Sequence, residues 1–225
     1  MLSQAAQDYL KEIYKIQKAS DPSISVNTSA IAEKMDVAAA SVTNMVKKLA
    51  ALKLVRHTPY QGVELTSAGV QIALEILRHH RLLELYLAKT LGYGWDRVDA
   101  EADKLEHVIS EEFEDRIDEA LGHPTTDPHG SPIPTKEGNI PEENVFPLSG
   151  VQTDQRAVIR QVNDQSPEML RYMESLGLTP EIMVEVLEQA PFGGPLLVRV
   201  NGGKKHSLGL EVARHIYVSL ESTGS

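Results

Sequence analysis

The sequence predicts a mainly α fold with a small β part, and three observations carry that prediction. Apolar residues recur at helical spacing through most of the first 120 positions, apart from two short alternating runs around Pro59 and Gly62. A proline-dense passage, His123–Pro147, then excludes regular helix. Beyond it, Val151–Leu220 carries strand-like runs at close spacing, the pattern of a small β-barrel.

The elements follow in order. Tyr9, Leu10, Ile13, Tyr14 and Ile16 predict a helix over Ala5–Ala19. Thr28 or Ser29 is placed to cap a second over Ala30–Met35. A third is expected over Ala39–Leu52, with Val42, Met45, Val46, Leu49 and Leu52 on one face. Leu54–His57 and Gly62–Leu65 read as a two-stranded hairpin. Helix, helix, short turn, helix, hairpin is the order of a winged helix-turn-helix. Thr66 caps a long helix over Ser67–Leu91. A further helix is expected over Asp96–Leu121, with Ala102, Leu105, Val108, Ile109, Phe113 and Ile117 buried. In the last part, strands are expected at Ala157–Val162, Met183–Leu187, Leu196–Val200 and His215–Leu220, with a helix at Pro167–Leu176. Domains are expected at 1–74, 75–148 and 149–225.

Composition narrows the chemistry. The 225 residues include no cysteine, which excludes disulfides, thiolate metal sites and thiol catalysis, and fits a reducing, cytoplasmic setting. No apolar run reaches the ~18 residues of a membrane span, and Met1-Leu2-Ser3-Gln4 opens no signal peptide. Aromatics make up 5%, too few for stacking platforms on single-stranded nucleic acid. The net charge of −10 is uneven: residues 1–74 carry +2 and 75–225 carry −12. A slightly basic head on an acidic body remains able to grip DNA through local contacts.

Within that head, the second helix of the pair is the one that enters a major groove. Ala38, Ala39 and Ala40 permit close approach, while Ser41, Thr43 and Asn44 can meet base edges. Lys47, Lys48, Thr28, Ser29 and Arg56 are placed for phosphates. A solvated polar face on an ordinary helical domain is the plainer alternative.

The acidic body presents Asp99, Asp103, Glu106 and His107 at i, i+4, i+7 and i+8, one face of a continuous helix. His80 and Glu84 stand one turn apart on the preceding helix. Crowded carboxylates repel one another, and a divalent cation removes that cost. A solvated face, a metal cluster and a hydrolytic dinuclear centre are all compatible with this pattern. No phosphate-cradling glycine loop or nucleophile motif accompanies it, so a non-enzymatic role is expected. His123 and His129, set among prolines, read as packing or backbone-bonded rings; His57 reads as a neighbour of phosphate, and His206 and His215 as structural.

Three runs carry a resemblance: Arg78-His79-His80-Arg81-Leu82-Leu83-Glu84, Glu101-Ala102-Asp103-Lys104-Leu105-Glu106-His107-Val108, and Asp127-Pro128-His129-Gly130-Ser131-Pro132-Ile133-Pro134. Together, behind a winged helix, they resemble the diphtheria toxin repressor family of metal-dependent regulators over essentially the whole chain. The resemblance implies a helical dimerisation domain and a C-terminal barrel of the ferrous-transport-A type. It matches Asp8, Asp103, Glu106 and His107 to the activating metal site, and His80 and Glu84 to a neighbouring one. Asp99 stands where iron-type members have histidine. Those members also have Met at the position of Asp8 and Cys at that of Asp103, where manganese-type members have carboxylates. Lys11 departs from a two-domain manganese subgroup that has glutamate there. Gln161 is a candidate match to a barrel ligand. Oxygen donors in place of sulfur favour Mn(II), with Fe(II) as the alternative. The implied function is a homodimer that binds a palindromic operator in double-stranded DNA when metal is plentiful, repressing metal-uptake genes. On this reading the carboxylates repel without metal and the head moves relative to its dimer mate. A metal-independent DNA-binding scaffold whose barrel recruits a partner is the remaining alternative.

Overall fold

The computed structural model describes residues 2–19, 25–58, 61–141, 144–163 and 166–221. The chain divides into two compact units. The first comprises Met1–His80, Leu105–Ile109 and Pro134–Asn139, and the second Arg81–Lys104, Ser110–Ile133 and Ile140–Ser225.

In the first unit, α1 (Gln4–Ala19) turns Ala6, Tyr9, Leu10, Ile13 and Tyr14 inward at helical spacing. Next comes α2 (Thr28–Lys34). Its cap is Asn27, whose side chain accepts the Ser29 amide; Thr28 and Ser29, expected to cap, lie inside the first turn instead. Asp36, at φ 50°, turns the chain into α3 (Ala39–Ala51). Val42, Val46 and Leu49 of α3 are buried as expected, but Leu52 follows the helix and is half exposed. Strands β1 (Val55–Thr58) and β2 (Gly62–Leu65) pair antiparallel, Val55 with Leu65, as the wing. Pro59 of the expected turn lies outside the described residues.

Thr66 opens α4 (Ser67–Leu91) as the sequence predicts, its hydroxyl oxygen accepting the Gly69 amide and donating to the Lys53 carbonyl. A Cβ on Gly69 would stand 2.1 Å from the Leu54 carbonyl oxygen, so only glycine allows the helix to start against the wing.

The expected helix over Asp96–Leu121 is two helices, α5 (Val98–Leu105) and α6 (Glu111–Ala120). Ser110 accepts the Phe113 amide, and Glu111, Glu112 and Glu114 fill the first turn of α6, a helix start that the apolar periodicity masks. Val108 and Phe113, assigned to the buried stripe, are exposed.

The second unit ends in a six-stranded antiparallel sheet: β3 (Phe146–Pro147), β4 (Arg156–Val162), β5 (Met183–Gln189), β6 (Leu196–Val200), β7 (Lys205–Leu208) and β8 (Ile216–Leu220). Its order is β3-β8-β4-β5-β6-β7. Two short helices, α7 (Pro167–Ser175) and α8 (Leu210–Arg214), accompany it. Ile159, Leu170, Met173, Leu178, Val184, Val198 and Ile216 belong to one apolar core. Among the described residues no helix is long and apolar enough to cross a membrane.

Candidate metal centres

Because α5 ends at Leu105, Glu106 and His107 sit in a turn, and the proposed single helical face of Asp99, Asp103, Glu106 and His107 does not exist. Asp99 and Asp103 remain one turn apart on α5, in the second unit, half-buried and exposed respectively. The turn belongs to the first unit, and there it meets α1. His107 Nε2 lies 2.8 Å from Asp8 Oδ1 and 3.3 Å from Glu106 Oε1. One candidate ligand atom from each of Asp8, Glu106 and His107 lies within 4.8 Å of the others.

The polar surroundings of this group are built. His107 Nδ1 is 2.9 Å from the Gln7 side-chain oxygen. A bond from Nδ1 to that oxygen orients the ring so that Nε2 faces the two carboxylates. Glu106 is fully buried, with Oε2 2.6 Å from His80 Nδ1 and Oε1 2.7 Å from Lys11 Nζ. The His79 ring nitrogen Nδ1 lies 3.0 Å from the Glu106 carbonyl oxygen and holds the backbone of the turn. Burial pushes the Asp8 carboxyl above the ordinary carboxylate value and the Glu106 charge adds to this, while His107 and Lys11 pull it back. The two carboxylates do repel, as the Glu106 charge acting on Asp8 shows, and Lys11 offsets part of that repulsion. Two carboxylates and one imidazole, with no sulfur, form a donor set suited to a divalent cation of the harder kind.

His80 and Glu84, paired by their spacing in the sequence, serve different groups. His80 holds Glu106, whereas Glu84 joins Asp127 and His129 in a fully buried group of potential ligands in the second unit. His129 Nδ1 is 3.5 Å from Glu84 Oε1, and its Nε2 donates to the Trp95 carbonyl at 2.8 Å. That bond orients the ring with Nδ1 on the Glu84 side. The Trp95 ring stacks on the imidazole at 5.6 Å.

The Asp127 carboxylate accepts the amides of His129 (2.8 Å) and Ser131 (2.9 Å), closing a tight turn. Gly130, at φ 87°, passes so near the Arg160 carbonyl that a Cβ would stand 1.8 Å from it. Gln161 donates to Ser131, and Arg81 stands 3.6 Å from Asp127.

The sequence reads His129 as a packing or backbone-bonded ring, and it is both, but its second nitrogen faces a carboxylate; Asp127, quoted only within the third run, is not read there as a ligand. The signal was present: Asp-x-His-Gly inside a proline-stiffened segment is a turn that carries two donors. His123 stays exposed, paired with Asp118 at 2.8 Å.

In the same unit as the first group, α3 exposes Ala40, Ser41, Thr43, Asn44, Lys47 and Lys48 along one side. Thr43 donates its hydroxyl to the Ala39 carbonyl. Thr28, half-buried, and Ser29, exposed, start α2, and Arg56 is exposed on β1.

Known proteins resemble this chain in sequence and fold. Residues 1–63 match the family model for the iron dependent repressor N-terminal DNA binding domain. Residues 66–135 match the iron dependent repressor metal binding and dimerisation domain, and 146–220 the FeoA domain. The iron-dependent repressor IdeR of Mycobacterium bovis is 29% identical over 222 residues, covering 93% of this chain and 94% of that protein. The diphtheria toxin repressor of Corynebacterium efficiens is 31% identical over 144 residues, 64% of this chain and 61% of its own length. A solved manganese-dependent transcriptional repressor in complex with manganese is 37% identical, with a TM-score of 0.89 over 96% of this chain and 100% of that one.

Proposed function

This chain belongs to the diphtheria toxin repressor family of metal-dependent transcriptional repressors, and from that premise we propose that it is a manganese-responsive repressor of metal-uptake genes. The observation that carries the manganese reading is the donor set of Asp8, Glu106 and His107, oxygen and imidazole without sulfur. The likeness to the manganese-dependent repressor solved with manganese supports it. The iron-dependent relative makes Fe(II) the second reading.

Asp8 and His107 hold the ion with Glu106, while Gln7 and His80 orient the ring and the carboxylate. Glu84, Asp127 and His129 hold a second ion; Asp99 and Asp103 are further candidate ligands on α5. A bound divalent ion supplies positive charge that ties α1 to the turn at 105–109. Tyr9, Leu10 and Ile13 of α1 belong to the core of the reading head, so fixing α1 fixes the presentation of α3. Ala40, Ser41, Thr43 and Asn44 then read bases in the major groove, and Thr28, Ser29, Lys47 and Lys48 contact phosphates. Residues 1–74 read DNA, 75–148 pair two copies and carry most ligands, and 149–225 form the third domain. Two recognition helices in a homodimer suit a palindromic operator with half-sites one helical turn, ~34 Å, or a multiple apart.

Driving a two-state equilibrium from 1:99 to 99:1 requires about 5.5 kcal/mol of differential affinity. Operator binding followed by fluorescence anisotropy, titrated with Mn(II) and separately with Fe(II), tests the reading. Operator affinity should rise at least about 100-fold with Mn(II) and fall on chelation. Affinity indifferent to both metals sinks it; a response to Fe(II) alone selects the iron reading.

A further inference from the structure

Lys11 follows Asp8 by three residues on α1, almost one turn, and is 4% exposed. Its Nζ lies 2.7 Å from Glu106 Oε1, with the Glu106 side chain wholly out of solvent. That same oxygen faces His107 Nε2 at 3.3 Å, whereas the other is taken by His80 at 2.6 Å. An ammonium loses most of its hydration at such depth, and a partly compensated carboxylate beside it is what makes the position tolerable. Lys11 therefore holds the Glu106 oxygen that faces His107.

Building on the metal reading above, we propose that Lys11 is a resident monovalent counter-ion that sets the concentration at which this centre accepts a divalent metal. The lysine does two opposed things. In the metal-free chain it keeps Glu106 seated and charge-compensated, so the ligand set is assembled before metal arrives. It also raises the concentration of metal required, because an incoming dication must share Oε1 with the ammonium or displace it, against like-charge repulsion at close range. Lys11 touches a ligand and stands apart from the donor set, so its role is positioning and tuning. A lysine serving stability alone has only the first effect.

The test uses the full-length chain and Mn(II) alone as probe. Lys11→Met removes the charge at similar length, and Lys11→Arg keeps it. Mn(II) affinity is read from the electron paramagnetic resonance signal of free Mn(II), and metal-free stability from melting in chelator. Lys11→Met should melt lower in chelator yet bind Mn(II) at the first centre at least about tenfold more tightly. Lys11→Arg should stay within about threefold of the unmodified chain in affinity. If Lys11→Met does not fold, Lys11→Gln makes the same comparison. A neutral variant that binds Mn(II) no more tightly than the unmodified chain overturns the proposal while leaving the metal reading intact. An unmodified chain that retains no Mn(II) overturns both.

Discussion

The two ligand groups contrast in how they are enclosed. Asp8, Glu106 and His107 combine a helix with a short turn, and the Asp8 side chain remains 39% exposed. Glu84 of α4, Asp127 and His129 are all buried, the last two in a turn locked by backbone amides and by a glycine with no room for a Cβ. The first group brings its own counter-ion and keeps an open side; the second is sealed. An open, pre-compensated set suits an ion that exchanges with its surroundings, and a sealed one suits an ion retained as part of the fold. On the proposed metal reading, sensing would fall to the first group and architecture to the second.

The largest expected effect comes from Glu106→Gln. It removes the buried carboxylate whose oxygen lies 2.7 Å from the buried Lys11 ammonium, costing about 3–5 kcal/mol in urea unfolding. Operator binding should also lose its Mn(II) dependence. Retained dependence would place the sensor elsewhere and break the contrast.

Gly130→Ala comes next, at about 2–4 kcal/mol, because the added Cβ collides with the Arg160 carbonyl at a positive φ. Its denaturation midpoint should fall while the Mn(II) midpoint for operator binding stays within about threefold. A large shift in that midpoint would show the sealed group to be part of the sensor. A milder probe, His129→Gln, loses the stack on Trp95 and one buried hydrogen bond, for about 1–3 kcal/mol. Metal analysis after dialysis should then find one ion fewer per chain.

The smallest effect sharpens the open side. The Asp8 carboxyl is raised in the folded chain by burial first. A raised folded value gives a contribution that is complete below the unfolded carboxylate value and is lost as pH rises through the folded one. Metal-free Asp8→Asn should therefore melt slightly higher than the unmodified chain at pH 7, with the gap closing toward pH 3. It should nevertheless bind Mn(II) more weakly. A variant that melts lower at pH 7 would show that the His107 contact outweighs burial.

The winged head was legible because its signals are local. The apolar faces of α1 and α3, Thr66 before α4 and the alternation of β1 and β2 each act over a few residues. The three runs that resemble the repressor family were equally readable. The break between α5 and α6 was not, since apolar residues keep helical spacing straight through Glu106–Ser110. There, buried contacts from Glu106 to His80 and Lys11 accompany the turn, and Ser110 restarts the helix.

By itself, then, the sequence determined most of the helices and strands, though not the break between α5 and α6 nor β3, β7 and α8, and supplied a cysteine-free set of oxygen and imidazole donors. Tertiary structure alone decided which donors meet. It sent His80 and Glu84, neighbours on one helix, to separate groups, brought in Asp127 and His129 from a proline-stiffened turn, and set Lys11 on Glu106 across 95 residues of chain. Helical and strand periods report a residue's face within its own element. Which distant charge compensates a buried one depends on the desolvation that only the packed structure imposes.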